Sequence, residues 1–84
     1  MVEADHLALA RQAIEAGQYE QAVEQYGSLI AADSQFDAVL ADLDRITHAR
    51  PELKEFHKLL GMLYERKGEV NAALMAYHRA LDKN

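Results

Sequence analysis

Apolar residues recur along this chain at helical spacing. Leu7, Leu9, Ala10, Ala13 and Ile14 form a first stripe, which ends at Gly17. Tyr19, Ala22, Val23, Tyr26, Leu29 and Ile30 form a second, running to Asp33. Phe36, Val39, Leu40, Leu43 and Ile46 form a third, which stops short of Pro51. Phe56, Leu59, Leu60, Leu63 and Tyr64 form a fourth, ending at Gly68, and Val70, Ala73, Leu74, Tyr77 and Leu81 form a fifth. Steps of three and four residues put such side chains on one face of a helix. No segment keeps a strict two-residue alternation. The pattern predicts an all-α fold of five helices without strands, in a single domain spanning residues 1–84.

The breaks between stripes carry their own signals. Gly17 and Gly68 stand where helices should end, and glycine takes up the left-handed conformation that such ends require. Ser34, with Asp37 three residues on, has the form of a capping box at the start of the third helix, with Asp in place of the usual Glu or Gln. Pro51 suits the first turn of the fourth helix, where its missing N–H costs nothing, and Glu52 adds a favourable charge there. Connections this short predict antiparallel neighbours.

Composition narrows the function. Half the residues are hydrophobic and 27% are charged, the balance of a folded domain and not of a disordered segment. No run of 18 apolar residues offers a membrane span. The first eleven residues carry Glu3 and Asp5 and no basic cluster, unlike a signal peptide. The absence of cysteine removes disulfides and thiolate chemistry and accords with a reducing, cytoplasmic compartment.

The net charge of -5 is unevenly spread. Residues 1–44 hold nine acids and one base, Arg11, whereas residues 45–84 hold eight bases and five acids. The acidic half disfavours nucleic acid, and the basic residues of the second half are too dispersed to track a phosphate backbone. The polarity would suit an acidic partner on the C-terminal half, or head-to-tail association.

The chain repeats itself. A shift of 51 residues lays His6 on His57, Leu9 on Leu60, Ala10 on Gly61 and Gly17 on Gly68. The same shift lays Ala22 on Ala73, Val23 on Leu74, Tyr26 on Tyr77 and Ile30 on Leu81. This ordered set resembles the tetratricopeptide repeat, a helix-turn-helix unit of 34 residues. Repeat one covers about residues 3–34 and repeat two about residues 51–84, with one extra helix over about residues 35–50. Both copies place His where the family favours Trp. The first has Ala13 at the family's Tyr position, and Ser34 replaces its helix-ending Pro. A spacing of one and a half repeats puts a single helix between the pairs, so the two pairs should run in opposite senses. The expectation is a five-helix array in which the concave groove of a regular array does not simply continue.

The resemblance implies a protein-binding scaffold or adaptor without catalytic activity or cofactor. Peptide-facing positions carried over from the family are Ala4, Leu7, Arg11, Ile14 and Glu15 in repeat one. In repeat two they are Glu55, Lys58, Met62, Glu65 and Arg66. Of these, Lys58, Met62, Glu65, Arg66 and Arg11 are the candidate partner-binding residues, for a protein or peptide. A carboxylate clamp of the family's kind would also need an Asn that is missing. Family arrays usually end in an extra helix with a polar outer face. The last helix here is instead apolar over a wide arc that includes Ala72, Met75, Ala76 and Tyr77. These are the candidate self-association residues. A second copy, a partner helix, the rest of a longer protein or the third helix should cover them.

Nothing in the sequence positions catalytic chemistry. No two of His6, His48, His57 and His78 have the i, i+4 spacing of a zinc site, and a packing role is expected for His6 and His57. Asp42 and Asp44 are two apart and point to different parts of a helix surface. There is no glycine-rich phosphate loop, no H-E-x-x-H and no G-x-S-x-G.

Overall fold

A computed structural model of the protein describes residues 5–81. Those residues form five helices and no strand: α1 (His6–Glu15), α2 (Tyr19–Ala31), α3 (Phe36–Ala49), α4 (Lys54–Arg66) and α5 (Val70–Leu81). The most extensive helix contacts are α4 with α5 and α1 with α2, the two repeated pairs. The intervening α3 packs on α4 and more lightly on α2, and α2 also touches α4 directly.

Helix ends follow from local chemistry. Gly17 and Gly68 have φ of 75° and 81°. Around Gly17, the Gln18 N–H reaches the Ala13 carbonyl and the Gly17 N–H reaches Ile14. Around Gly68, Glu69 reaches Tyr64 and Gly68 reaches Glu65. Both are Schellman ends. The end of α2 uses the same pattern without glycine: Ser34 N–H bonds Leu29, Asp33 N–H bonds Ile30, and Asp33 takes φ of 54°. Ser34 is therefore spent closing α2. The cap of α3 is Gln35, also left-handed and with no side-chain hydrogen bond to the helix, so the expected capping box does not form. Pro51 also differs from expectation. The Leu53 N–H bonds the Arg50 carbonyl, which puts Pro51 at the second position of a β-turn two residues ahead of the α4 cap. Glu52 is the next residue of that turn, outside α4.

The core is continuous across all five helices, with α5 contributing Ala76, and takes in Leu7, Ala10, Tyr26, Ile30, Leu43, Phe56 and Leu63. Phe56 meets two tyrosine rings in T-shaped contact, Tyr19 at 6.1 Å and Tyr26 at 6.5 Å between centroids. This is the favoured geometry for aromatic pairs. Small residues bring helices together, as their repeat positions imply: Ala10, Ala22 and Ala73 are buried. At Gly61 an added Cβ would lie 2.6 Å from the Tyr77 ring. The ring has no free retreat, because the Tyr77 hydroxyl donates to Glu65 Oε1 at 2.8 Å. Gly61→Ala is expected to destabilise the domain by about 1–3 kcal/mol, the usual cost of overpacking, despite the better helix propensity of alanine. A urea titration showing an unchanged or raised midpoint would refute this close packing.

The fifth helix departs from its predicted burial. Ala73 and Ala76 are buried, but Val70, Leu74 and Leu81 of the same apolar stripe are exposed, as is Met75. Their repeat counterparts on α2, namely Tyr19, Val23 and Ile30, are covered or partly covered by the later helices. α3 packs against α2 and α4 and leaves this outer face of α5 open.

Candidate functional site

A groove of about 490 Å³ runs between the first half of α2 and the start of α4. Its apolar floor is Tyr19, Val23, Leu53 and Phe56. Around that floor stand Glu20, Glu24, Glu52 and Glu55 against a single cation, Lys54. The geometry has simple causes. Glu20 and Glu24 are one turn apart on α2, so they share an edge of that helix. The Arg50–Leu53 turn delivers Glu52 and Leu53 to the opposite side. Glu52 is held by Arg50 at 2.8 Å, and the same guanidinium bonds the Tyr19 hydroxyl and stacks over its ring. The Arg50 hydrogen bond holds the Glu52 carboxyl below its ordinary range. Glu55 stands 3.8 Å from Lys58. Glu20 and Glu24 have no ion-pair partner among the described residues, which leaves them available to a ligand.

A second polar centre holds the fold. Asp42 is 1% exposed. It accepts two hydrogen bonds from Arg11, at 2.8 Å and 3.1 Å, and one from the Tyr26 hydroxyl at 2.8 Å. Arg45 lies at 3.5 Å. Burial pushes the Asp42 carboxyl up, but the Arg11 and Tyr26 bonds and the neighbouring guanidinium charges outweigh it and hold the group below its usual range. Burial and the same carboxylate raise the Tyr26 hydroxyl well above an ordinary tyrosine. The three side chains tie α1, α2 and α3 at one point.

The residues expected to face a partner are largely occupied within the chain. Arg11 is committed to Asp42. Arg66 donates to Asp33 at 2.6 Å and to the Ala31 carbonyl, fastening α4 to the end of α2. Glu65 accepts from Tyr77, and burial, helped by this bond, raises the Tyr77 hydroxyl to about 12. Met62 is half-buried against the core, and Lys58 is exposed beside Glu55. Of the expected self-association residues, Ala76 is buried, Tyr77 packs over Gly61, Ala72 is half-buried and Met75 is exposed. Leu7 is buried and Ala4 lies outside the described residues.

Sequence reasoning misses the groove, because its floor residues also read as core. The signal lies in the acids one turn apart at Glu20 and Glu24, echoed by Glu52 and Glu55. Asp42, expected on a helix surface, is buried instead: it sits inside the stripe of Val39, Leu43 and Ile46, where a charge needs a partner.

Among the described residues no cluster of three or more His, Asp or Glu side chains could hold a metal ion, and no helix is long and apolar enough to cross a membrane. Comparison with family models, with curated proteins and with solved structures returns no match.

Proposed function

We propose that this domain is a non-catalytic, tetratricopeptide-like protein-interaction module of a reducing compartment, whose partner groove lies between α2 and α4. The observation that carries the reading is the groove's composition: an apolar and aromatic floor ringed by four carboxylates and one amine. Such a site fits an extended or helical peptide that inserts a bulky apolar side chain and flanks it with Lys or Arg. The two packed helix pairs, matching the sequence repeat, support the tetratricopeptide resemblance. The non-catalytic reading is supported by the buried polar side chains Asp42, Tyr26 and Thr47, which are engaged in structural hydrogen bonds.

Selection from a random dodecapeptide phage library tests the groove. Enriched peptides are expected to combine a large apolar residue with neighbouring Lys or Arg, and to lose binding to the Glu20→Lys/Glu24→Lys protein. Enrichment of acidic or neutral peptides, or binding indifferent to that variant, would overturn the assignment.

A second reading, self-association, is favoured by the open face of α5. Its occupant would be a second copy, because this face repeats the α2 face that the chain's own later helices cover. Sedimentation equilibrium should then show a concentration-dependent dimer that Leu74→Glu abolishes. A monomer at all accessible concentrations removes this reading.

A further inference from the structure

The two helix pairs repeat one another, so each side of one pair can be compared with the same side of the other. Toward α3, the first pair presents Tyr19, Val23, Tyr26 and Ile30 of α2. The later helices pack there, burying Tyr26 and Ile30 fully and Tyr19 and Val23 in part. The counterparts in the second pair are Val70, Leu74, Tyr77 and Leu81 of α5. Val70, Leu74 and Leu81 stay 62%, 56% and 77% exposed, and among the described residues no helix covers them.

The opposite sides differ in kind. In the second pair, Leu60, Leu63 and Ala76 are buried, and α2 and α3 pack on α4. Their counterparts in the first pair are Leu9, Gln12 and Gln25, on the side away from α3. A shallow hollow of about 270 Å³ there is lined by Gln12, Gln18, Gln21 and Gln25 around Leu9. Glutamine thus stands where the second pair uses apolar side chains, as suits a solvated end of a helical array. The domain is capped by polar residues at its α1–α2 end and left apolar at its α5 end. A head-to-tail contact, which the uneven charge of the chain would suit, would press the α5 face onto these amides and bury them without partners.

The α5 face complements itself instead. Val70, Leu74, Tyr77 and Leu81 follow one another by four, three and four residues, the spacing of a seam between two helices. That order reads the same in both directions. A second α5 laid antiparallel about the middle of the seam sets Val70 against the partner's Leu81 and Leu74 against the partner's Tyr77. The charges at the helix ends select the same direction. Glu69 immediately precedes α5, and His78 and Arg79 lie in its last turn. Antiparallel packing places the acidic end of each helix beside the basic end of the other and opposes the two macrodipoles, whereas parallel packing would join like ends. A seam about 18 Å long is small for a stable dimer, so the association is weak and depends on concentration.

We propose that the α5 face binds the same face of a second copy, antiparallel and about a two-fold axis, and that the glutamine end stops the assembly at a dimer. This rests on the self-association reading and gives it a contact surface, a direction and a stoichiometry.

The chain has no cysteine, so a nitroxide on one introduced cysteine reports from one position. Such a protein is mixed with isotope-labelled native protein, and NMR reads which amide signals of the native copy are broadened. Asn71→Cys, an exposed position in the first turn of α5, is expected to broaden chiefly the last turn of α5, around His78. Gln21→Cys, exposed at the glutamine end, should broaden α5 no more than free nitroxide at the same concentration does. Sedimentation equilibrium of the native protein, taken to about 1 mM to reach weak association, should fit a monomer and a dimer with no larger species. Broadening of α5 by the Gln21 label, broadening by the Asn71 label centred on the first turn, or species beyond the dimer would each overturn the two-fold contact and leave self-association standing. A monomer throughout would overturn both and give the α5 face to a different chain.

Discussion

Asp42→Ala is expected to cost the domain about 2–4 kcal/mol of folding stability, more than the Gly61→Ala overpacking. The carboxylate is 1% exposed and the Tyr26 side chain is fully buried. Removing Asp42 strands the Tyr26 hydroxyl in the core and takes the partner from Arg11, while a small cavity opens in α3. A domain of this size loses roughly 4–8 °C in melting temperature per kcal/mol, so calorimetry should register the change plainly. The double variant Asp42→Leu/Tyr26→Phe should recover much of the loss, because it leaves no buried group unpaired and the half-exposed Arg11 side chain can turn to solvent. If Asp42→Ala costs less than the double variant, the hydrogen-bonded centre does not exist in solution.

The same residue gives the stability a defined acid limb. The folded-state pKa of Asp42 lies below its ordinary value. A depressed carboxyl binds fewer protons in the folded state than in the unfolded chain. Its contribution is therefore complete above the unfolded value of about 4 and is lost as pH falls from there through the folded pKa. Asp42→Asn should flatten that limb without changing its slope above pH 6. The exposed carboxylates Asp33 and Glu52 also sit below their usual range beside arginines, but solvent screens them and their share is minor.

What was legible in the sequence follows from which forces act locally. Helix positions are set by the spacing of apolar residues, and all five appear where the stripes put them. Gly17 and Gly68 end helices because the left-handed conformation is cheap only for glycine, a rule that needs no tertiary contact. Where the same conformation falls on Asp33 and Gln35, no residue type announces it, and the predicted Ser34 cap gives way to a Schellman end. The exposure of Val70, Leu74 and Leu81 shows a second limit. Periodicity says which face of a helix is apolar, but burial depends on whether a neighbour is present. The groove lies at a third limit, since it depends on how two helices far apart in sequence come together. Tyr19 and Phe56 are separated by a whole helix, and only their edge-on contact turns Glu20, Glu24, Glu52 and Glu55 into one acidic rim.

Reversing the charge of that rim on α2 is expected to weaken a basic, apolar-anchored peptide by about fiftyfold, or about 2.3 kcal/mol. Two steps give the magnitude. Losing two attractive, solvent-exposed pairs forfeits up to about 1 kcal/mol each. Placing two lysine charges on the same edge, beside a cationic ligand, adds repulsion of similar size, moderated by screening. The substitutions Glu20→Lys and Glu24→Lys suit the test because neither carboxylate has an ion-pair partner among the described residues, so no internal bridge is broken. A lysine in place of Glu20 sits less well in the first turn of α2, at a cost of about 0.3–1 kcal/mol, which leaves the fold intact. Salt discriminates the electrostatic share from the apolar one. For the native protein, raising ionic strength from about 0.05 M to about 0.5 M should erode affinity, because exposed charges farther apart than the Debye length of about 4–14 Å are screened. For the reversed protein the salt dependence should vanish or change sign, leaving the contribution of Tyr19, Val23, Leu53 and Phe56. Val23→Asp should then remove that remainder by placing a charge on the apolar floor. A peptide whose affinity survives both changes must bind elsewhere on the domain, and the α2–α4 groove would lose its claim as the partner site.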